Sequence, residues 1–174
     1  LHVGYDKTGT TALQRAATCL RADLKLLGID YPEPIQNDNH LFVASAFLTD
    51  PTKIEFNRAS GRASMPKDQL RREDQQRLAT YRSMMTDGTG LLFLSFEGFI
   101  ELSEEEHSRL KLWLLDLTRD VRVLVYVRNP VQYAASAASQ RVRTGRPFSI
   151  QFRRYDQQLS RLQRVYGQQN VLVR

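Results

Sequence analysis

Cysteine is nearly absent from this chain of 174 residues, because Cys19 is the only one. An intrachain disulfide and a metal site built from several thiolates are therefore excluded. Cys19 lies in a helix-like run beside Ala16, Ala17 and Leu20. We expect it to be a small buried hydrophobic side chain rather than a reactive thiol.

Long apolar runs are also lacking. No stretch approaches the ~20 consecutive apolar residues of a membrane-spanning helix, and the first residues show no signal-peptide pattern. With 41% hydrophobic and 25% charged residues, the composition is typical of a soluble globular protein, and we expect a cytoplasmic location. The length fits one domain, residues 1–174. Because the chain starts without methionine in a strand-like segment, and ends in another, we expect it to be incomplete at its C-terminal end.

Acidic residues are scarce in the last third of the chain. Residues 121–174 contain ten arginines and one acid, Asp156, so they carry a net charge of +9, whereas the preceding residues carry −3 and the whole chain +6. This distribution indicates anionic ligands, with nucleic acid as one possibility. Solvated helix faces are the ordinary alternative explanation.

Apolar segments of strand length alternate with helix-like segments along the chain. Strands are predicted at 1–3, 90–96, 121–127 and 170–174, and helices at about 10–27, 41–48, 68–85, 103–117, 131–142 and 148–166. Because the strands are almost continuously apolar, the pattern predicts an α/β fold with a central parallel β-sheet flanked by helices. The polar stretch 49–67 is expected to contain a mobile surface loop.

Ligands of parallel sheets bind at the carboxyl ends of the strands. That rule selects three places in this sequence, which are residues 4–11, 95–98 and 128–130.

Residues 4–11, here called the anion loop, follow a strand and precede a helix. This geometry points backbone N–H groups and the positive end of a helix dipole at an anion. Gly4, Gly9 and Thr11 match G-x-x-x-x-G-K-[ST], but Thr10 stands at the lysine position and Lys7 lies inside the loop. An ordinary Mg²⁺-dependent ATPase or GTPase is therefore a poor fit. The plainer interpretation is a polar turn with a helix cap.

Two motifs in order, K-T-G-T-T at 7–11 and V-R-N-P at 127–130 with Ser136 beyond it, resemble the sulfotransferases that use 3′-phosphoadenosine 5′-phosphosulfate (PAPS). The resemblance spans 1 to about 145 and is strongest to bacterial-type members. It implies a P-loop-like sulfotransferase fold. It also implies that Lys7 and the loop hold the 5′-phosphosulfate, and that Arg128 and Ser136 hold the 3′-phosphate. The loop residues concerned are Thr8, Gly9, Thr10 and Thr11.

Sulfuryl transfer also needs a base that removes the acceptor proton. The family uses a histidine or a glutamate, commonly near the end of the strand beside the loop, so Glu97 is the first candidate. His40 is the second, since imidazole suits proton transfer, and Glu33 is a weaker third. A cap or an arginine pair at Glu97, and a helix start at His40, are the structural alternatives. His2 and His107 are expected to be structural.

The expected function is therefore transfer of a sulfuryl group from PAPS, without a metal, to a hydroxyl or amine of a carbohydrate, lipid or small molecule. No nucleic-acid partner and no membrane span are expected. Asp6 departs from the family, which often has a neutral residue there, and the late basic, glycine-containing segment of many relatives is not visible before Arg174. A P-loop nucleotide kinase and a non-catalytic anion- or nucleic-acid-binding module remain the alternatives.

Overall fold

A computed structural model of the chain describes residues 1–5, 8–35, 37–85, 90–145, 147–148 and 155–174. Within these residues the strands are β1 (His2–Gly4), β2 (Ile29–Asp30), β3 (Leu91–Leu92), β4 (Val123–Tyr126) and β5 (Val171–Val173). The α-helices are α1 (Thr10–Cys19), α2 (Arg21–Leu26), α3 (Leu41–Phe47), α4 (Glu55–Ala59), α5 (Lys67–Met84), α6 (Glu104–Leu115), α7 (Pro130–Arg143) and α8 (Tyr155–Tyr166). Short 3-10 turns occupy Pro51–Lys53, Arg62–Ser64, Glu97–Glu101 and Gln168–Asn170.

All pairings between the described strands are parallel. β4 lies between β1 and β5, with Val125 opposite both Val3 and Val173, and β2 pairs with β3. The chain beyond β3 joins the two groups of strands, because the His2 N–H donates to the Leu94 carbonyl at 2.7 Å and His2 bridges to Ser95. The spatial order is therefore β2-β3-β1-β4-β5. The prediction of an α/β fold with a parallel sheet is confirmed.

The connections from β1 and from β4 run to opposite edges of this sheet. The chain leaves β1 toward β2 at one edge, and it leaves β4 toward β5 at the other. In open parallel sheets, ligands bind where the strand order reverses in this way, outside the carboxyl ends of the two central strands. The ends of β1 and β4 are therefore the place where the fold favours a site.

The core packs helices against the apolar strands. Val3, Val123 and Val125 in the sheet are fully buried, as is Leu110 in α6. A capping box starts α6 as its sequence predicts: the Ser103 hydroxyl accepts from the Glu106 N–H and the Glu106 carboxylate accepts from the Ser103 N–H. No helix within the described ranges is both long and apolar enough to cross a membrane.

The helix predicted over 10–27 is two helices. The chain turns at Leu20 between α1 and α2, and Leu26 and Leu27 are 87% and 75% exposed. The buried positions of α1 are instead Thr10, Gln14 and Ala17. The prediction of a buried Cys19 was wrong, since its side chain is exposed at the end of α1. The reason is that α1 turns a partly polar face toward the strand ends.

The stretch 49–67, where a surface loop was expected, contains helical segments. It contains α4 and two 3-10 turns, and the buried Arg62 ties it to α5. The Arg62 guanidinium contacts Asp74 at 2.6 Å and donates from Nε to Asn57 at 2.9 Å, and the Ser45 hydroxyl also donates to Asp74. Because polar side chains form this contact region, hydrophobic patterning cannot reveal it.

Candidate active site at the ends of β1 and β4

The two sequence motifs leave the sheet side by side. Gly4 lies opposite Tyr126 in the register, and the Tyr5 N–H donates to the Tyr126 carbonyl at 3.2 Å. The anion loop therefore begins beside the segment that carries Arg128, since neighbouring strands are about 4.8 Å apart. Asp6 and Lys7 lie outside the described residues.

The described part of the anion loop is organised around the Tyr5 carbonyl. It accepts from the Thr8 hydroxyl at 2.6 Å, from the Thr8 N–H at 3.3 Å and from the Thr10 hydroxyl at 3.3 Å. Thr10 is 4% exposed, whereas Thr11 is exposed. The Thr10 hydroxyl thus stabilises the turn, and the Thr11 hydroxyl faces a more open environment.

Two glycines shape the entry to α1. A Cβ on Gly4 would lie 2.7 Å from the Thr10 hydroxyl oxygen, so only glycine allows Thr10 to pack this closely on the strand end. Gly9 is the N-cap of α1 with a φ of 86°, a backbone conformation that favours glycine. No side chain of the described residues caps this helix start. The first N–H groups of a helix have no partner within the helix, and they are the groups that bind an anion at such a position.

The second motif lies after β4. Asn129 caps α7 by accepting from the N–H groups of Val131 at 3.0 Å and Gln132 at 3.4 Å, and Pro130 is the first residue of the helix. Arg128 is half-buried immediately before this cap, and Ser136 is half-buried within α7. The guanidinium therefore comes from the strand end next to the anion loop.

Glu97 lies at the end of the chain segment that pairs with β1. The Gln14 amide donates to the Glu97 carboxylate and to the Ser95 hydroxyl, both at 3.1 Å, and the Ser95 hydroxyl contacts His2 Nδ1 at 2.7 Å. We call these four residues the amide cluster. Burial lowers the pKa of His2 to about 4, so its ring is neutral at neutral pH. Among the four, Glu97 is the partly exposed residue, and the other three are buried.

His40 occupies a buried structural position. Its Nδ1 accepts from the Ser95 N–H at 3.1 Å and its Nε2 lies 3.1 Å from the Pro32 carbonyl. Burial lowers the pKa of His40 to about 4. Because both ring nitrogens are engaged by the backbone, the geometry favours Glu97 over His40 as a base.

The remaining candidates differ in exposure. The Glu33 carboxylate is 65% exposed and pairs with Arg21 of α2 at 3.1 Å. His107 is buried, with Nδ1 3.2 Å from the Tyr166 hydroxyl, and burial lowers its pKa to about 4. Glu33 thus lies in a surface ion pair, and His107 lies between α6 and α8.

Gln14 is the site residue that sequence reasoning missed. It follows Thr10 by four positions and therefore shares its face of α1. That spacing is the signal in the sequence, but a glutamine in a leucine- and alanine-rich helix is ordinarily taken for a surface residue.

Within the part of the chain that the structure describes, no group of three or more His, Cys, Asp and Glu is arranged to hold a metal ion.

Comparisons with protein-family models, with curated proteins and with solved structures gave no match. Support for a function therefore comes from the local geometry of the site and from the two motifs.

Proposed function

We propose that this chain is a sulfotransferase that moves a sulfuryl group from PAPS to a hydroxyl or amine acceptor. The observation that supports this most directly is the adjacency of the two motif loops. Each follows one of the two central parallel strands, and Gly4 and Tyr126 are register partners at their ends. The phosphosulfate end and the 3′-phosphate of one nucleotide would thus meet neighbouring strand ends.

The residues present fit such a donor. Gly9 starts α1 without a side-chain cap from the described residues, which leaves backbone N–H groups for the 5′-phosphosulfate. Arg128 would pair with the 3′-phosphate, because a guanidinium binds two phosphate oxygens at once, and Ser136 would add a neutral hydrogen bond. PAPS supplies an activated sulfuryl group.

Two proton and charge tasks fall to other side chains. Lys7, from its position within the anion loop, would neutralise the charge that grows on the leaving phosphate. Glu97 would accept the proton of the acceptor hydroxyl or amine. The partial exposure of its carboxylate allows an acceptor to approach it.

The kinase alternative fits the anion loop less well. In a P-loop kinase the residue after the second glycine is a lysine that reaches the phosphates. Here Thr10 takes that position, and it is 4% exposed and packed on Gly4. A binding module that uses the arginine-rich last third would instead show steeply salt-dependent binding.

Isothermal titration calorimetry with 3′-phosphoadenosine 5′-phosphate (PAP) tests the proposal. We expect wild-type protein to bind PAP, and Arg128→Ala to bind it at least ~10-fold more weakly, because a charge-assisted pair is lost. Arg122→Ala is the matched control, since Arg122 precedes β4 at its other end and pairs with Asp120. Selective binding of Mg·ATP instead of PAP would overturn the proposal.

A further inference from the structure

The amide cluster links the anion loop to Glu97 through one side chain. Gln14 lies one turn after Thr10 on the same face of α1, and it is 2% exposed. A ligand bound at the N-terminus of α1 would therefore lie one helix turn from Gln14, the residue that donates to Glu97.

The hydrogen bonds of the cluster run in one direction. The two amide protons of Gln14 go to the Ser95 hydroxyl and to the Glu97 carboxylate. The Ser95 hydroxyl lies 2.7 Å from His2 Nδ1, and it donates its proton there when the neutral ring carries its own proton on Nε2. An ionised carboxylate can only accept, so the amide nitrogen must face Glu97. Strand β1 and the segment after β3 thereby fix how Gln14 is oriented.

From this geometry we infer that Gln14 is a positioning residue, which holds the Glu97 carboxylate in a fixed orientation at the strand ends beside the anion loop. This inference rests on the proposed function, in which Glu97 accepts the acceptor proton. A base that is held in the productive geometry reacts faster than one that samples several rotamers. A buried polar side chain also costs stability unless its hydrogen bonds are made, and the Gln14 amide makes two of them, to Ser95 and to Glu97.

The test observes Glu97 directly. The carboxyl carbon of Glu97 is followed by carbon-13 NMR at pH 8 in full-length protein labelled with [δ-¹³C]glutamate, and Glu97→Gln identifies its resonance. We expect Gln14→Met to shift and broaden this resonance, because the carboxylate loses its donor. Gln76→Met, at an exposed position of α5, should leave it unchanged.

A second variant guards against misfolding of Gln14→Met. Ser95→Ala keeps Gln14 but removes the hydroxyl oxygen that orients its amide. We expect the Glu97 resonance to shift in the same direction in this variant, but by less. The melting temperature of each variant is compared with that of Gln76→Met, which should be unchanged from wild type. An unmoved Glu97 resonance in both Gln14→Met and Ser95→Ala would overturn the inference.

Kinetics separates positioning from a general loss of structure. PAP release from PAPS is measured with phenol, glucosamine and 1-octanol offered in turn as acceptors. We expect Gln14→Met to lower kcat by roughly tenfold or more, with the PAP dissociation constant unchanged. Equal losses in kcat and PAP affinity would overturn positioning. A wild-type protein that does not bind PAP contradicts the proposed function, and the carbon-13 result then still decides whether Gln14 holds Glu97.

Discussion

At the scale of single residues, the candidate bases of the site differ mainly in their burial and in their hydrogen-bond partners. Glu33 and Glu97 are both glutamates, but Glu33 forms a surface ion pair with Arg21, whereas Glu97 accepts a hydrogen bond from the buried Gln14 amide. His40 has the imidazole that a base requires, yet the backbone engages both of its nitrogens. Environment, and not residue type, therefore favours Glu97 as the proposed base.

Glu97→Gln is expected to lower kcat by ~10² or more, because an amide cannot accept the acceptor proton. The substituted side chain still offers an oxygen to Gln14, so PAP affinity should stay at the wild-type value. Rates of PAP release from PAPS, measured with the same three acceptors, check this. Glu101→Gln in the same 3-10 turn is the control. Full activity of Glu97→Gln, together with lost activity of a folded His40→Gln, would assign the base to His40 instead.

At the scale of elements, the stretch 49–66 depends on a buried ionic cluster. Arg62 bridges Asp74 and Glu73 of α5, both at 2.6 Å, and its guanidinium lies 5.5 Å from the centre of the Phe42 ring. Desolvation raises the pKa of Asp74, while Ser45 and the nearby arginines oppose that rise. The cluster attaches α4 and its flanking turns to α3 and α5.

Asp74→Ala should therefore destabilise the protein by about 2–3 kcal/mol, because the buried Arg62 loses its most buried carboxylate partner and Ser45 loses its acceptor, while Glu73 still pairs with Arg62. Urea unfolding followed by circular dichroism measures the free energy of unfolding. Asp68→Ala, at an exposed position in the first turn of the same helix, is expected to lower it by at most about 1 kcal/mol, the size of a carboxylate's interaction with a helix N-terminus. The double variant Arg62→Met, Asp74→Leu should be more stable than Asp74→Ala, since it removes the buried guanidinium and fills the space with apolar groups, while Glu73 keeps Arg77 as a partner. A double variant that is less stable than Asp74→Ala would contradict this account.

At the scale of the whole molecule, three buried histidines make folding sensitive to acid. The pKa values of His2, His40 and His107 are each lowered to about 4, with burial as the main cause. In the unfolded chain a histidine titrates near 6.5. Between these values the unfolded state binds more protons than the folded state, so the free energy of unfolding falls as the pH falls.

Above about pH 6.5 we expect these histidines to leave the free energy of unfolding unchanged. As the pH is lowered from 6.5 to 4, we expect the free energy of unfolding to drop. Each histidine contributes on the order of 3 kcal/mol to the drop. Urea unfolding at a series of pH values measures it. His107→Gln should reduce the slope between pH 4 and 6.5 by up to about 1.4 kcal/mol per pH unit, which corresponds to one proton. An unchanged slope in that variant would show that His107 binds protons equally in the folded and unfolded states, so that burial does not lower its pKa.

The elements with a strong local pattern were predicted well from the sequence. The predicted helix 68–85 is α5 at Lys67–Met84, and the predicted helix 131–142 is α7 at Pro130–Arg143. Local signals fix such elements: Asn129 and Pro130 start α7 through a side-chain cap and a proline that needs no N–H partner. The predicted helix 148–166 is α8 at Tyr155–Tyr166, and residues 149–154 lie outside the described ranges.

Sequence patterning failed where polar contacts replace apolar ones. The leucines of 10–27 recur at helical spacing, but Leu26 and Leu27 are exposed and Gln14 is buried. The polar stretch 49–67 is attached to the rest of the fold by the ion pair of Arg62 with Asp74, a residue outside that stretch. Neither set of contacts shows in the apolar periodicity, since each is made by polar side chains from separate segments of the chain.

The sequence by itself determined the class of fold and the two motif loops, because strand, turn and cap signals act over a few residues. Only the tertiary structure decided that these loops leave neighbouring strands, since strand order depends on pairings such as that of His2 with Ser95, which are 93 positions apart. The same long-range contacts bury His40 and bring Gln14 to Glu97. Which carboxylate or imidazole is available for chemistry is thus settled by the packing of distant segments.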